Sequence, residues 1–116
     1  MAKILLNNKR IIAKDALIAK TFLQKMRGLM FRRKAVPIWF EFLWERRWAI
    51  HSFFVPFPFD AVFVDAEGRV VDAAERIMPF TMRITPKKSC KFLLELPAGS
   101  VGKFKIRKGD NISVLL

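Results

Sequence analysis

Residues Trp48 to Asp65 read WAIHSFFVPFPFDAVFVD. This stretch holds the only histidine of the chain, five of its twelve phenylalanines, two prolines and two aspartates. Its apolar residues indicate two strands, over 48–55 and 59–64, and the prolines between them cannot donate hydrogen bonds to a sheet, so the chain must leave the sheet there. Because both faces of residues 48–55 are apolar, we predict a central strand that is covered on both sides.

On the N-terminal side of this stretch, apolar side chains with a two-residue period indicate further strands. We predict a hairpin over residues 3–19 that turns at its two asparagines, a strand over 38–43 and a charged turn at 45–47. Between this hairpin and the strand over 38–43, Thr21 followed by Gln24 fits a capping box, which predicts one short helix.

On the C-terminal side, turns and short strands alternate. Residues 65–68 have the composition of a tight turn that closes a hairpin. The strands predicted here cover 59–64, 69–73, 90–96, 103–106 and 112–116. Together the segments predict an all-β fold, a compact antiparallel sandwich or barrel of about seven to nine short strands with one short helix.

The size and composition of the chain set its class. A chain of 116 residues that is 53% hydrophobic forms a single domain over residues 1–116 and has ample apolar surface for a core. Its one cysteine, Cys90, excludes an intrachain disulfide and is typical of a reducing compartment. No apolar run has the length of a signal peptide or a membrane span, so we expect a cytoplasmic protein with no membrane partner.

The charge is strongly positive and unevenly distributed. The formal net charge is +12; residues 1–48 hold twelve Lys and Arg against three acids, a net of +9, whereas residues 49–116 hold ten against seven, a net of +3. A basic half of this kind attracts nucleic acid, anionic lipid or an acidic protein. Nonspecific nucleic-acid binding through this half is one hypothesis, and a solvated basic surface is its structural alternative.

Few residues suit catalysis or metal binding. One histidine, one cysteine and scattered acids do not form a ligand set, so we predict no metal site, no cofactor and no catalytic residue. Cys90 has the features of a small buried apolar residue, and Ser52 cannot pair with His51 because neighbours on a strand point to opposite faces. An uncharacterised carbohydrate-acting enzyme, with two carboxylates near aromatic rings, is a further hypothesis.

The polar residues around the bend give the leading hypothesis. If the strands on either side of the bend run back along each other, His51 and Asp60 form a polar pair at the mouth of a pocket. The structural alternative, an imidazole held by a carboxyl group or backbone acceptor, is favoured for this pair because buried polar groups are usually satisfied ones. As a function, we predict a small non-enzymatic β domain that binds a small ligand or a protein partner at a rim formed by His51, Ser52, Pro56, Pro58 and Asp60.

Several segments resemble the family known as domain of unknown function 192, in its archaeal-type form. They are AKT at 19–21, RGLMFR at 27–32, IHSFF at 50–54, FPFDAVFVD at 57–65, GRVV at 68–71, LELPAG at 94–99 and GD at 109–110. Their order and spacing extend over nearly the whole chain. The resemblance implies a compact, mostly β fold of sandwich or barrel type, and it implies no activity.

Overall fold

The computed structural model describes residues 2–21, 30, 32–52 and 54–116. Within them the chain forms seven strands and one short helix. These are β1 Ala2–Leu6, β2 Arg10–Ala19, β3 Ile38–Arg46, β4 Phe59–Val64, β5 Val70–Ile77, β6 Cys90–Pro97, α1 Ser100–Phe104 and β7 Ile112–Leu115. The helix that the sequence predicts after Thr21 falls on residues 22–29, which lie outside the described part of the chain.

The seven strands form one sheet in the order β5-β4-β6-β3-β2-β1-β7, and the sheet curls into a half-barrel. Neighbouring strands are antiparallel except β2 and β3, whose parallel pairing is possible because the 20–37 connection is long enough for a crossover. The predicted all-β fold is therefore confirmed, and it takes the form of a half-barrel with one parallel pair.

The turn between β4 and β5 brings the two outer strands of the sheet together. Arg69 and Asn111 form an isolated antiparallel bridge, and the Ile112 N–H donates to the Gly68 carbonyl oxygen over 2.7 Å. Gly68 has a φ of +88°, and a Cβ at this position would lie 3.0 Å from the Ile112 carbonyl oxygen. Only glycine allows this backbone conformation together with so close an approach, and the contact helps to keep the sheet curled.

Side chains alternate between the two faces of the sheet and pack into two clusters. The inner cluster fills the half-barrel with aliphatic side chains and Trp39, and the outer cluster lies on the opposite face, under the connecting loops. In β4, Val62 and Val64 belong to the inner cluster, and Phe59 and Phe63 belong to the outer one. Every residue of β4 is buried, so this strand is covered on both sides.

The half-barrel is closed by α1 at one end. The helix follows Gly99, which has a φ of +91°, and Val101 in its first turn packs into the inner cluster together with Ile106. Lys105, with a φ of 54°, ends the helix. The strand predicted over 103–106 is therefore wrong, because Lys103 and Phe104 belong to the helix and Lys105 has a left-handed φ that a strand does not allow.

Two predictions next to the proline bend are also corrected by the structure. Among the described residues, 48–55 form no strand and contribute only an isolated bridge between Ile50 and Ile84. Phe54 has a left-handed φ of 61°, which a strand does not allow, and the apolar residues on both sides belong to a loop that packs on the outer cluster. The turn predicted at 45–47 lies later, at 46–48, because β3 extends to Arg46 and the Trp48 N–H donates to the Arg46 carbonyl oxygen over 2.9 Å.

The outer face of β6 carries a buried carboxyl group at Glu95. Its backbone lies between those of Ile38 on β3 and Ala61 on β4, and among the described residues no group donates a hydrogen bond to its Oε1 atom. Burial raises the pKa of Glu95 to about 8. The side chain is therefore held mainly as a neutral acid at neutral pH.

We expect Glu95→Gln to flatten the dependence of stability on pH. Because the folded protein keeps a proton that the unfolded chain releases, the free energy of unfolding falls as the pH rises from the ordinary pKa of 4.5 to about 8. The slope for one such group is about 1.4 kcal/mol per pH unit. Urea denaturation across this range measures the slope, with the exposed turn variant Glu67→Gln as control. Parallel curves for the wild type and Glu95→Gln would contradict the assignment.

Candidate functional site

The five residues of the predicted rim do not share one environment. His51 and Pro56 are exposed, Pro58 is half-buried, and Ser52 and Asp60 are fully buried. The side chains of Ser52 and Asp60 instead form hydrogen bonds with backbone groups of other elements. The structure therefore divides the predicted rim into a part that faces solvent and a part that supports it.

Asp60 connects three elements near the closed end of the half-barrel. Its Oδ1 atom accepts the Arg76 N–H and its Oδ2 atom accepts the Val101 N–H, each over 2.9 Å. Arg76 has a φ of 48° where β5 is out of regular register with β4, and Val101 lies in the first turn of α1. Both oxygen atoms of Asp60 therefore accept backbone amides of other elements.

Ser52 joins the loop before β4 to the loop after β5. Its Oγ atom donates to the Met78 carbonyl oxygen over 2.5 Å and accepts the Thr81 N–H over 2.7 Å. Its backbone N–H donates to the Thr81 carbonyl oxygen over 3.0 Å, and its carbonyl oxygen accepts the Phe80 N–H over 3.1 Å. Hydrogen bonds centred on one buried residue therefore hold the two loops against each other.

Three connecting segments build a surface that we call the loop face: the described residues of 32–37, 47–58 and 78–89. The Arg47 Nε atom donates to the Pro86 carbonyl oxygen over 2.9 Å, which ties the second segment to the third. The first segment joins them through a shared cavity. Side chains from all three segments pack on the outer cluster, so the loop face covers the outer side of the sheet.

The loop face exposes large apolar side chains. The exposed fractions are 55% for Phe54, 57% for Met78, 67% for Phe80 and 77% for Met82. Phe54 and Phe80 both have a left-handed φ, of 61° and 64°, so the backbone turns sharply at each ring. Clusters of exposed apolar side chains among polar ones mark interaction sites in soluble proteins.

A cavity of about 460 Å³ lies between the two phenylalanines. The described residues that line it are Arg32, Phe54, Val55, Pro56, Pro79 and Phe80. Apart from the arginine, these described residues are apolar, and the volume lies within the range of binding pockets in proteins.

The loop face is positively charged and its three segments contain no acidic residue. Its basic residues are Arg32, Arg33, Lys34, Arg47, Arg83, Lys87 and Lys88. Of the acids at its border, Glu45 accepts the Ala66 N–H through Oε2 over 2.6 Å. Asp72 accepts the Ala73 and Lys87 N–H groups, each over 2.9 Å. Both carboxyl groups therefore have backbone partners. The three segments combine exposed apolar side chains with a net positive charge.

Two further cavities lie at the ends of the half-barrel. At the open end, a cleft of about 380 Å³ is lined by Trp39 and Phe92, whose stacked rings are 4.9 Å apart. Lys20 and Glu41 also line this cleft and form an ion pair over 3.9 Å, so its charge is partly neutralised. At the closed end, a space of about 330 Å³ lies between β6 and α1.

The described residues offer little for catalysis. They contain no group of three or more His, Cys, Asp or Glu side chains that could hold a metal ion. Burial raises the pKa of Cys90 to about 11, so its thiol stays protonated at neutral pH and is a poor nucleophile. In the same part of the chain, no helix is long and apolar enough to cross a bilayer.

Sequence reasoning missed Met78, Phe80 and Met82 as surface residues. They lie in a segment without regular periodicity, where a sequence does not distinguish buried from exposed apolar side chains. A usable signal was present: three large apolar residues at alternate positions, separated by a proline and a threonine and followed by Arg83, in a stretch with no acid between Glu75 and Glu95.

One family model and several archaeal proteins match the chain. The model of the DUF192 family, described as Uncharacterized ACR, matches residues 4–114. A UPF0127 protein of Pyrococcus abyssi is 32% identical over 97 residues, which cover 82% of this chain and 81% of that protein. A UPF0127 protein of Thermococcus kodakarensis is 33% identical over 101 residues, which cover 83% of this chain and 62% of that protein.

Two crystal structures share the fold. A protein of unknown function from Novosphingobium aromaticivorans matches with a TM-score of 0.86 at 19% identity, over 96% of this chain and 83% of that one. A Sinorhizobium meliloti protein, provisionally described as a transcription regulator, matches with a TM-score of 0.84 at 23% identity, over 97% of this chain and 91% of that one. At these identities the likeness concerns the fold alone.

We expect Asp60→Ala to lower the free energy of unfolding by roughly 1–4 kcal/mol. The buried Val101 N–H loses its acceptor, which costs about 1–3 kcal/mol, and the part-buried Arg76 N–H adds a smaller cost. Urea denaturation measures the loss. The matched control is Asp15→Ala, at an exposed position on β2, which should change stability by no more than about 0.5 kcal/mol. Similar effects of the two substitutions would show that Asp60 does not anchor the fold.

Proposed function

This chain belongs to the DUF192 family, a family of unknown function, and we propose that it is a non-enzymatic domain whose loop face binds an acidic protein partner. The observation that carries the proposal is the composition of that face: seven basic residues, no acidic residue, and four large apolar side chains that are each more than half exposed. Positive charge attracts and orients an acidic partner, and the apolar side chains gain free energy when the partner covers them.

The proposal retains the solvent-facing part of the predicted rim. His51 and Pro56 are exposed on the loop face. Ser52 supports the same face from below by joining its two longer loops. Asp60 and Pro58 lie where the chain enters β4, and the role of Asp60 in the proposal is to hold the sheet on which the face rests.

An acidic protein is favoured over nucleic acid by the type of apolar side chain on the face. Single-stranded nucleic acid binds by stacking its bases on flat rings beside cations, to which Met78 and Met82 contribute little. Flexible thioether side chains instead suit contact with partner side chains of varied shape. The described basic residues of the N-terminal half are also spread over several elements: the β1–β2 hairpin, Lys20 at the open-end cleft, Arg46 on β3 and the loop face.

Poly-L-glutamate, as a model of an acidic protein segment, tests the proposal. We expect the triple variant Arg83→Ser, Lys87→Ser, Lys88→Ser to bind it roughly tenfold more weakly than the wild type at low salt, since exposed ion pairs contribute roughly 0.2–1 kcal/mol each. Isothermal titration calorimetry at several salt concentrations measures the affinity.

The matched control removes the same charge from a different surface. Lys3→Ser, Lys9→Ser, Lys14→Ser takes three exposed lysines from the β1–β2 hairpin, and this variant should keep most of the affinity. Equal losses in the two triple variants would contradict the proposal. Tighter binding of single-stranded DNA than of poly-L-glutamate at the same salt, lost only in the loop-face variant, would favour the nucleic-acid alternative.

A further inference from the structure

We infer that the cavity between Phe54 and Phe80 binds one large apolar side chain of the acidic partner, and that the arginines around it receive the flanking carboxylates. This inference rests on the proposed function and specifies which sequence in the partner the loop face binds. The recognised segment is a phenylalanine, leucine or methionine within a run of aspartate and glutamate.

The lining of the cavity fits a hydrocarbon or aromatic side chain. Two phenylalanine rings, two proline rings and the side chain of Val55 form its walls. Proline has no backbone N–H, so Pro56 and Pro79 offer no donor to a ligand. A nucleobase is recognised through hydrogen bonds along its edges, and among the described lining residues only the side chain of Arg32 offers hydrogen-bond donors, whereas an apolar side chain needs none.

Hydrogen bonds to the backbone of Ser52 hold the cavity in shape. The carbonyl oxygen of Ser52 accepts the Val55 N–H over 3.2 Å and the Phe80 N–H over 3.1 Å, so the two walls share one anchor. Left-handed backbone at both phenylalanines is costly for residues other than glycine and is typical of functional sites. A cavity that is already formed reduces the entropy lost on binding.

The concave shape favours a peptide over a lipid surface. Peripheral membrane proteins insert protruding apolar side chains into the bilayer. A cavity of about 460 Å³ is concave and does not insert in this way. A single anchoring side chain fills such a cavity and excludes water from it, as the central residues of protein interfaces do.

Positive charge lies at the cavity and on the loop that carries Phe80. Arg32 lines the cavity itself. Arg83 follows Phe80 on the same loop, where its Nε atom donates to the Thr85 Oγ1 atom over 3.2 Å. Guanidinium groups bind carboxylates through paired hydrogen bonds, so acidic residues next to the anchor are expected to contact these arginines.

Three fluorescein-labelled peptides test the inference by fluorescence anisotropy with the full chain. The first has a central phenylalanine flanked by aspartate and glutamate, the second has serine at its centre, and the third has phenylalanine flanked by lysine. We expect the first peptide to bind about 10- to 100-fold more tightly than the second, because a buried ring adds a hydrophobic contribution of that size. The lysine-flanked peptide should not bind.

Substitutions at exposed apolar positions locate the effect. Phe80→Ser should weaken binding of the phenylalanine peptide far more than binding of the serine peptide, so that the difference between the two peptides is largely lost. Leu43→Ser, at an exposed position on β3 that does not line the cavity, should change neither affinity. Both side chains are exposed, so we expect both variants to keep the melting temperature of the wild type.

The outcomes separate the inference from the function on which it rests. Equal affinity for the two acidic peptides would overturn the inference and leave the proposed function intact, since charge alone would then account for binding. Failure of both acidic peptides to bind would overturn both. Phe80-dependent binding to phosphatidylserine vesicles or single-stranded DNA, tighter than binding to the phenylalanine peptide, would overturn the choice of a peptide ligand.

Discussion

The buried carboxyl group of Asp60 is the contact on which the arrangement of this fold depends. It lies on β4, the strand buried on both sides, and its two oxygen atoms bind backbone amides of β5 and α1. One side chain therefore fixes an outer strand at its bulge and also fixes the helix that closes the half-barrel. Because β4 begins directly after the proline bend, the same anchor sets the point at which the loop face leaves the sheet.

Ser52 extends this organisation from the sheet to its surface. It is fully buried, yet it belongs to neither apolar cluster. Its hydrogen bonds connect two loops, and each loop has apolar residues that point inward and others that point outward. The inward residues, such as Val55, cover the outer cluster, while Phe54 and Phe80 face the cavity. The loops can expose large apolar side chains without collapsing onto them because polar bonds hold the backbone in place.

Much of the fold could be predicted from the sequence, since alternating apolar residues reveal most strands, and the family resemblance is confirmed over nearly the whole chain. The pattern failed at 48–55 because a loop packed on a sheet buries as many apolar residues as a strand does. The partners of Asp60 could not be predicted because they are backbone amides at Arg76 and Val101, distant in the chain and without a side-chain signature. The apolar part of the loop face was missed because exposure depends on tertiary packing.

The most direct test of the loop face as the binding surface is a map of backbone amide shifts. Isotope-labelled protein titrated with poly-L-glutamate should show its largest amide shifts at Val55, Phe80 and Thr81, where the two longer loops meet at Ser52. Shifts concentrated instead at Gly68 and Phe92 would place the partner at the open end of the half-barrel and contradict the account.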